Sequence, residues 1–135
     1  MTTLAPATAS VATWIQPDCA TTRFAPSDVG FPEAAGIAPS PNQFWSLVFG
    51  SVPVPRGQDV KIAYRMTGSG ALLLVADGPA HLQVSPDWQE VHGESNWTAH
   101  PGDEWGAGFT FSPAGCWEIV GVRGTLVARV GIPVR

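Results

Sequence analysis

At 135 residues the chain fits one domain, long enough to bury about two-thirds of its unfolded surface without a metal or a dense disulfide framework. Only 13% of its residues are charged, its formal net charge is -4 and Lys61 is its single lysine, so it offers no basic surface to phosphates or anionic lipid, and nucleic-acid binding is excluded. No segment reaches the roughly 20 apolar residues of a membrane span, which argues against direct membrane insertion.

Residues 1–10 (MTTLAPATAS) are small, polar and proline-containing and read as a flexible tail. They lack the charged and apolar regions of a signal peptide, so export implies a mature form preceded by a methionine. Residues 11–135 are expected to form one domain, with Val11 to Ile15 as a first strand. Residues 17–41 carry five prolines and no sustained period. That composition predicts an irregular surface segment pinned by Phe24, Phe31 and Ile37, with a short helix near Pro32 to Gly36 as the alternative.

Regular signals begin at Gln43. In QFWSLVFG the set Trp45, Leu47 and Phe49 is apolar throughout, and is expected to face the core in preference to Phe44, Ser46 and Val48. Pro53 and Pro55 mark an edge or bend. Val60, Ile62, Tyr64 and Met66 alternate with Lys61, Ala63 and Arg65, one face buried and one wet. Gly68-Ser69-Gly70 turns the chain into a short buried strand, Ala71 to Ala76, which Asp77-Gly78-Pro79 ends. His81, Gln83 and Ser85 alternate with Leu82 and Val84 in a further strand, and Val91 to Glu104 reads as a loop. Phe109 and Phe111 share a face before the turn Ser112-Pro113-Ala114-Gly115. From Cys116 both faces are apolar, Trp117 and Ile119 against Val120 and Val122, as in a central strand. Arg123-Gly124 makes a hairpin into Leu126, Ala128, Val130 and Ile132. Seven to nine short strands with no amphipathic helix predict an all-β sandwich, with a small closed barrel as the alternative.

Cys19 and Cys116 permit one intrachain disulfide, or two buried thiols in a reducing compartment, and the residues alone leave both open. The run Pro101 to Ile119, PGDEWGAGFTFSPAGCWEI, resembles the C-terminal signature of small exported bacterial immunoglobulin-like domains and lipoproteins of unknown function. Its most specific part is Gly-Cys-Trp-Glu after a Phe-x-Phe strand and a proline turn. The resemblance extends more faintly back to about Asn42. It implies an immunoglobulin-like antiparallel sandwich, a Cys19–Cys116 disulfide and an extracytoplasmic place, secreted or at the cell surface. It implies no catalytic residues. Cys19 follows Pro17 and Asp18 rather than a lipobox, so anchoring through it is not implied.

The one polar cluster is Trp88 to Trp105. Trp88, Trp97 and Trp105, with Glu94, Asp103 and Glu104, are candidates for an aromatic platform on which a sugar ring stacks while carboxylates accept its hydroxyl hydrogens. His92 and His100, with Glu94, are weaker candidates for a divalent metal, because their spacing matches no established ligand pattern. The alternative is that the tryptophans cap the sandwich and the charges are solvated. Asn96-Trp97-Thr98 matches a glycosylation sequon. Asp103 and Glu104 are adjacent, so in an extended chain they point apart and cannot act as an acid–base pair. Glu118, on an apolar face, needs a partner such as Arg65, Arg123 or Arg129. No hydrolase elbow, zinc-protease motif or phosphate loop is present.

These features predict a non-enzymatic extracytoplasmic binding or assembly module, without cofactor, whose partner is another protein or a cell-surface glycan. The alternatives are a carbohydrate-binding module and a metal-dependent hydrolase using residues 88–105.

Overall fold

The computed structural model describes residues 13–93 and 95–135. Its strands are β1 (Ala25–Pro26), β2 (Pro32–Ala35), β3 (Phe44–Val48), β4 (Asp59–Met66), β5 (Leu72–Asp77), β6 (Gln83–Val84), β7 (Trp88–His92), β8 (Asp103–Thr110), β9 (Gly115–Arg123) and β10 (Leu126–Val134). They pair antiparallel into a six-stranded sheet, β1-β2-β3-β4-β8-β7, and a four-stranded sheet, β10-β9-β5-β6. The two sheets make the expected all-β sandwich, and the chain crosses between them after β4, β6 and β8.

Side-chain alternation explains how the sheets face one another. Ile62, Tyr64 and Met66 of β4 and Trp105, Ala107 and Phe109 of β8 meet Leu72, Leu74, Trp117, Ile119, Val130 and Ile132 of the other sheet in one apolar core. β9 lies between β10 and β5, and its outward valines, Val120 and Val122, join Val75 in a small second cluster, as expected for a central strand.

The inward set of β3 is the reverse of the sequence expectation. Phe44 and Val48 lie in the main core, with Phe44 stacked on Tyr64 at 5.8 Å, and Ser46 is buried beside them. Leu47 is buried on the opposite face with Ala63 and Trp97, and Phe49 lies beyond the strand end, 37% exposed. Both faces of β3 are covered, one by the second sheet and one by the loop carrying Trp97, so apolarity alone does not tell them apart.

Residues 17–41 contain the short strands β1 and β2 rather than only irregular chain, and Pro32 to Gly36 holds strand, not helix. Pro32 opens β2, where a missing N–H is tolerated, and Glu33, Ala34 and Ala35 pair with Leu47, Ser46 and Trp45. Thr13 to Ile15 carry no strand; the Ile15 N–H donates to Asp77 Oδ2 at 3.1 Å. Val11, like the tail 1–10, lies outside the described residues. Between Asp77 and Ser85 only β6 is extended, because Pro79–His81 form a tight turn with Ala80 and His81 at positive φ.

The expected loop from Val91 to Glu104 shrinks at both ends, β7 running to His92 and β8 starting at Asp103. The repeating side chains there are Trp88, Glu90 and His92, an alternation with no hydrophobic period. Cys19 and Cys116 are disulfide-bonded with their Cα atoms 5.8 Å apart. The bond holds the segment around Cys19 against the last strand, where the Gly131 N–H donates to Thr22 Oγ1 at 2.8 Å.

Candidate functional site

Two of the polar residues singled out in the sequence, His92 and Glu104, meet on the outer face of the six-stranded sheet. Register explains why. Glu104 of β8 pairs with Arg65 of β4 on one side and His92 of β7 on the other, so three ionisable side chains project from neighbouring strands on one face. Glu104 Oε1 lies 3.3 Å from Arg65 Nη2 and accepts from Ser95 Oγ at 2.5 Å, while Oε2 lies 2.8 Å from His92 Nδ1. With its side chain 4% exposed, Glu104 is a buried carboxylate held by three partners, which is the condition under which a buried charge is tolerated.

Arg65 extends the network into the overlying loop by donating from Nε to the Trp97 carbonyl and from Nη1 to the Gly102 carbonyl, each at 2.7 Å. A second carboxylate, Glu33 of β2, receives Trp97 Nε1 at 3.0 Å and lies 2.8 Å from His100 Nε2. The His100 ring stacks on Trp45 with centroids 3.4 Å apart. Two carboxylates thus fasten the loop carrying Ser95, Trp97 and His100 to the sheet.

Beside this loop lies a cleft of 310 Å³ lined by Val29, Phe31, Leu47, Phe49, Lys61, His92, Ser95, Asn96, Trp97 and Glu104. One wall is aromatic: the Phe31 and Phe49 rings lie 4.9 Å apart, each more than a third exposed. Lys61 forms part of the lining, its Nζ 4.9 Å from the Phe49 centroid.

The tryptophan platform does not form. Trp97 is buried on the outer face with Leu47 and Ala63, and Trp105 is buried in the inter-sheet core, on the opposite side of the same sheet. Trp88 is half-buried against Gly108 of β8. Each ring is used for packing, because the apolar faces that a sugar would need are taken by the sheet and its loop. Asp103 and Glu104 point apart as expected. Asp103 is bonded to Arg123, whose other donors serve the carbonyls of Met66 and Gly70 and whose cation lies over Trp105.

The candidate metal ligands separate as well. His92 lies between Glu104 and Glu90, whereas His100 belongs to Glu33. Glu94 lies outside the described residues. Among the described residues no three His, Cys, Asp or Glu side chains are grouped to hold a metal ion. Glu118 meets Arg129, one of the three arginines named for it, at 3.4 Å.

Sequence reasoning missed Phe31, Phe49, Lys61, Arg65, Ser95, Asn96 and Glu33 as parts of the site. The available signal was the register of β3 against β4. Once Val48 faces Ile62, the next residue, Phe49, falls beside Lys61, and its N–H indeed donates to the Lys61 carbonyl at 3.0 Å.

No protein-family model matches the chain, and no curated protein or solved structure is significantly similar to it.

Proposed function

We propose that the chain is a non-catalytic binding module working outside the reducing cytosol, with the cleft on the outer face of its six-stranded sheet as the ligand site. The observation that carries this reading is the pairing of an exposed aromatic wall, Phe31 and Phe49, with a polar rim fastened in advance by Glu104 and Glu33. A cleft of about this size, mostly apolar with a few fixed polar groups, has the ordinary make-up of a ligand site. The Cys19–Cys116 bond supports an oxidising location. No helix among the described residues is long and apolar enough to cross a membrane.

The arrangement around His92 supports binding rather than catalysis. Its Nδ1 meets Glu104 and its Nε2 meets Glu90, while the hydroxyl in the cluster, Ser95 Oγ, donates to Glu104 instead of to the imidazole. The carboxylate that holds the Ser95 proton is already engaged by Arg65 and His92, and no hydroxyl–imidazole pair of the kind used in covalent hydrolysis is formed by these residues.

The test is a screen of the intact, disulfide-bonded protein against a glycan array and a library of small ring compounds, with each ligand recovered and weighed afterwards. Ligands that lose binding in Phe49→Ala and return chemically unchanged are the expected result. Ligands indifferent to Phe49→Ala, or converted to products, would overturn the reading.

A further inference from the structure

We propose that the cleft seats a carboxylate carried on an apolar or sugar ring, with Lys61 as the anion-binding residue; this rests on the binding-module reading and gives it a ligand class. Lys61 stands apart from the ion pairs of this face. Arg65 is matched by Glu104, His92 lies between Glu104 and Glu90, and His100 meets Glu33. Lys61, the only lysine in the chain, has no carboxylate partner among the described residues.

Its position is built rather than incidental. Glycine at 106 leaves the outer surface of β8 open beside it, where an added Cβ would meet Lys61 Cε at 3.4 Å and His92 Nε2 at 2.5 Å. The end of the lysine stem therefore lies over Gly106, with Nζ over the Phe49 ring, in the lining of the cleft. An ammonium over an aromatic face keeps part of its attraction for an anion, because the ring is weakly solvating compared with water. Asn96 is exposed at the mouth, its side-chain amide without a partner among the described residues, and can donate a second hydrogen bond to the same carboxylate.

The rest of the cleft sets the ligand's body. Phe31 and Phe49 offer ring surface, and 310 Å³ admits one ring with a short substituent. A single unpaired cation selects one negative charge, so a polyanion is disfavoured by Glu90 and Glu104 close by.

Isothermal titration calorimetry with two matched pairs tests this: phenylacetate against phenylacetamide, and methyl glucuronide against methyl glucoside. The acid is expected to bind about fivefold tighter than its neutral counterpart in at least one pair, the size of a partly screened ion pair. The pair that shows it tells an aryl acid from a uronate. Lys61→Met, which keeps the stem over Phe49, is expected to abolish that preference, and Lys61→Arg to retain it. Equal affinity of acid and neutral partner at a Phe49-dependent site, or a preference that survives Lys61→Met, overturns the anion proposal while leaving a binding cleft. Absence of Phe49-dependent binding by any of the four overturns the cleft itself.

Discussion

Glu104 and Glu118 are both carboxylates buried on outward-facing positions of a sheet, yet their surroundings treat them differently. Glu104 has three hydrogen-bonding or charged side-chain partners, whereas Glu118 has one, Arg129 at 3.4 Å, and a backbone hydrogen bond from Asp18. Burial pushes the Glu118 pKa up from its ordinary 4.5; Arg129 and a backbone hydrogen bond from Asp18 oppose the rise, and the Asp18 carboxylate adds to it. The native state then holds the proton more tightly than the unfolded chain does, so stability contributed by the protonated form is present below the unfolded value and is lost as pH rises through the folded one. Glu118→Gln removes that dependence. Denaturant titrations at about pH 4 and about pH 8 are expected to show the variant gaining relative to the parent at the higher pH. A difference that is the same at both pH values would contradict the account. Glu118 could be picked out in the sequence because a lone carboxylate stands out on an apolar strand face. The buried hydroxyls of Ser46 and Tyr64, paired across β3 and β4 without a side-chain partner among the described residues, could not, since tyrosine and serine are ordinary strand residues.

At the level of elements, β7 and β8 supply His92 and Glu104 to the candidate cleft, and the glycines of β8 let the His92 ring lie against the sheet. The outer face of β8 presents Gly106 and Gly108 to β7, and the His92 and Trp88 rings fold across them into the space a Cβ would occupy. Neither glycine has a positive φ, so the requirement is one of close approach and not of backbone conformation. Gly106→Ala is expected to push the imidazole off the sheet and break its 2.8 Å contact with Glu104. Stability should fall by about 1–3 kcal/mol, the cost of leaving a buried acceptor short of a partner. Gly50→Ala, where an added Cβ meets nothing, should stay within about 0.5 kcal/mol of the parent. Denaturation midpoints together with the His92 ring proton shifts check both, and an unmoved His92 signal in Gly106→Ala would contradict this account of the glycine. In the sequence Trp88 to Trp105 stood out as a polar cluster, of which the structure brings His92, Ser95 and Glu104 together. Its internal arrangement was hidden, because whether a tryptophan offers its face to solvent depends on what covers it, and Trp97 and Trp105 are covered from opposite sides of one sheet.

For the molecule as a whole, alternation along β4 and β10, with the short apolar run of β5 and the two apolar faces of β9, carried the sandwich, since each has a face that only a second sheet can bury. The order of strands was beyond the same reasoning, because pairings such as β4 with β8 join segments about forty residues apart and leave no local signal. The disulfide closes a longer loop still, 97 residues in sequence, and ties the Cys19 segment to the sandwich. In the chain-entropy model a loop of this length contributes about 4–5 kcal/mol. Urea titrations of the oxidised protein and of Cys19→Ser/Cys116→Ser are expected to differ by an amount of that order, and coincident curves would contradict a stabilising role.

The most direct test of the central claim, that the outer face of the six-stranded sheet is the ligand surface, is amide shift mapping of the oxidised protein with the tightest ligand found. Perturbations confined to Val29, Phe31, Leu47, Phe49, Lys61, His92 and the Ser95 to Trp97 loop are predicted. Perturbations centred instead on the opening between the sheets at Gly70, Leu72 and Val91, or on the outer face of the four-stranded sheet at Leu73, would contradict it.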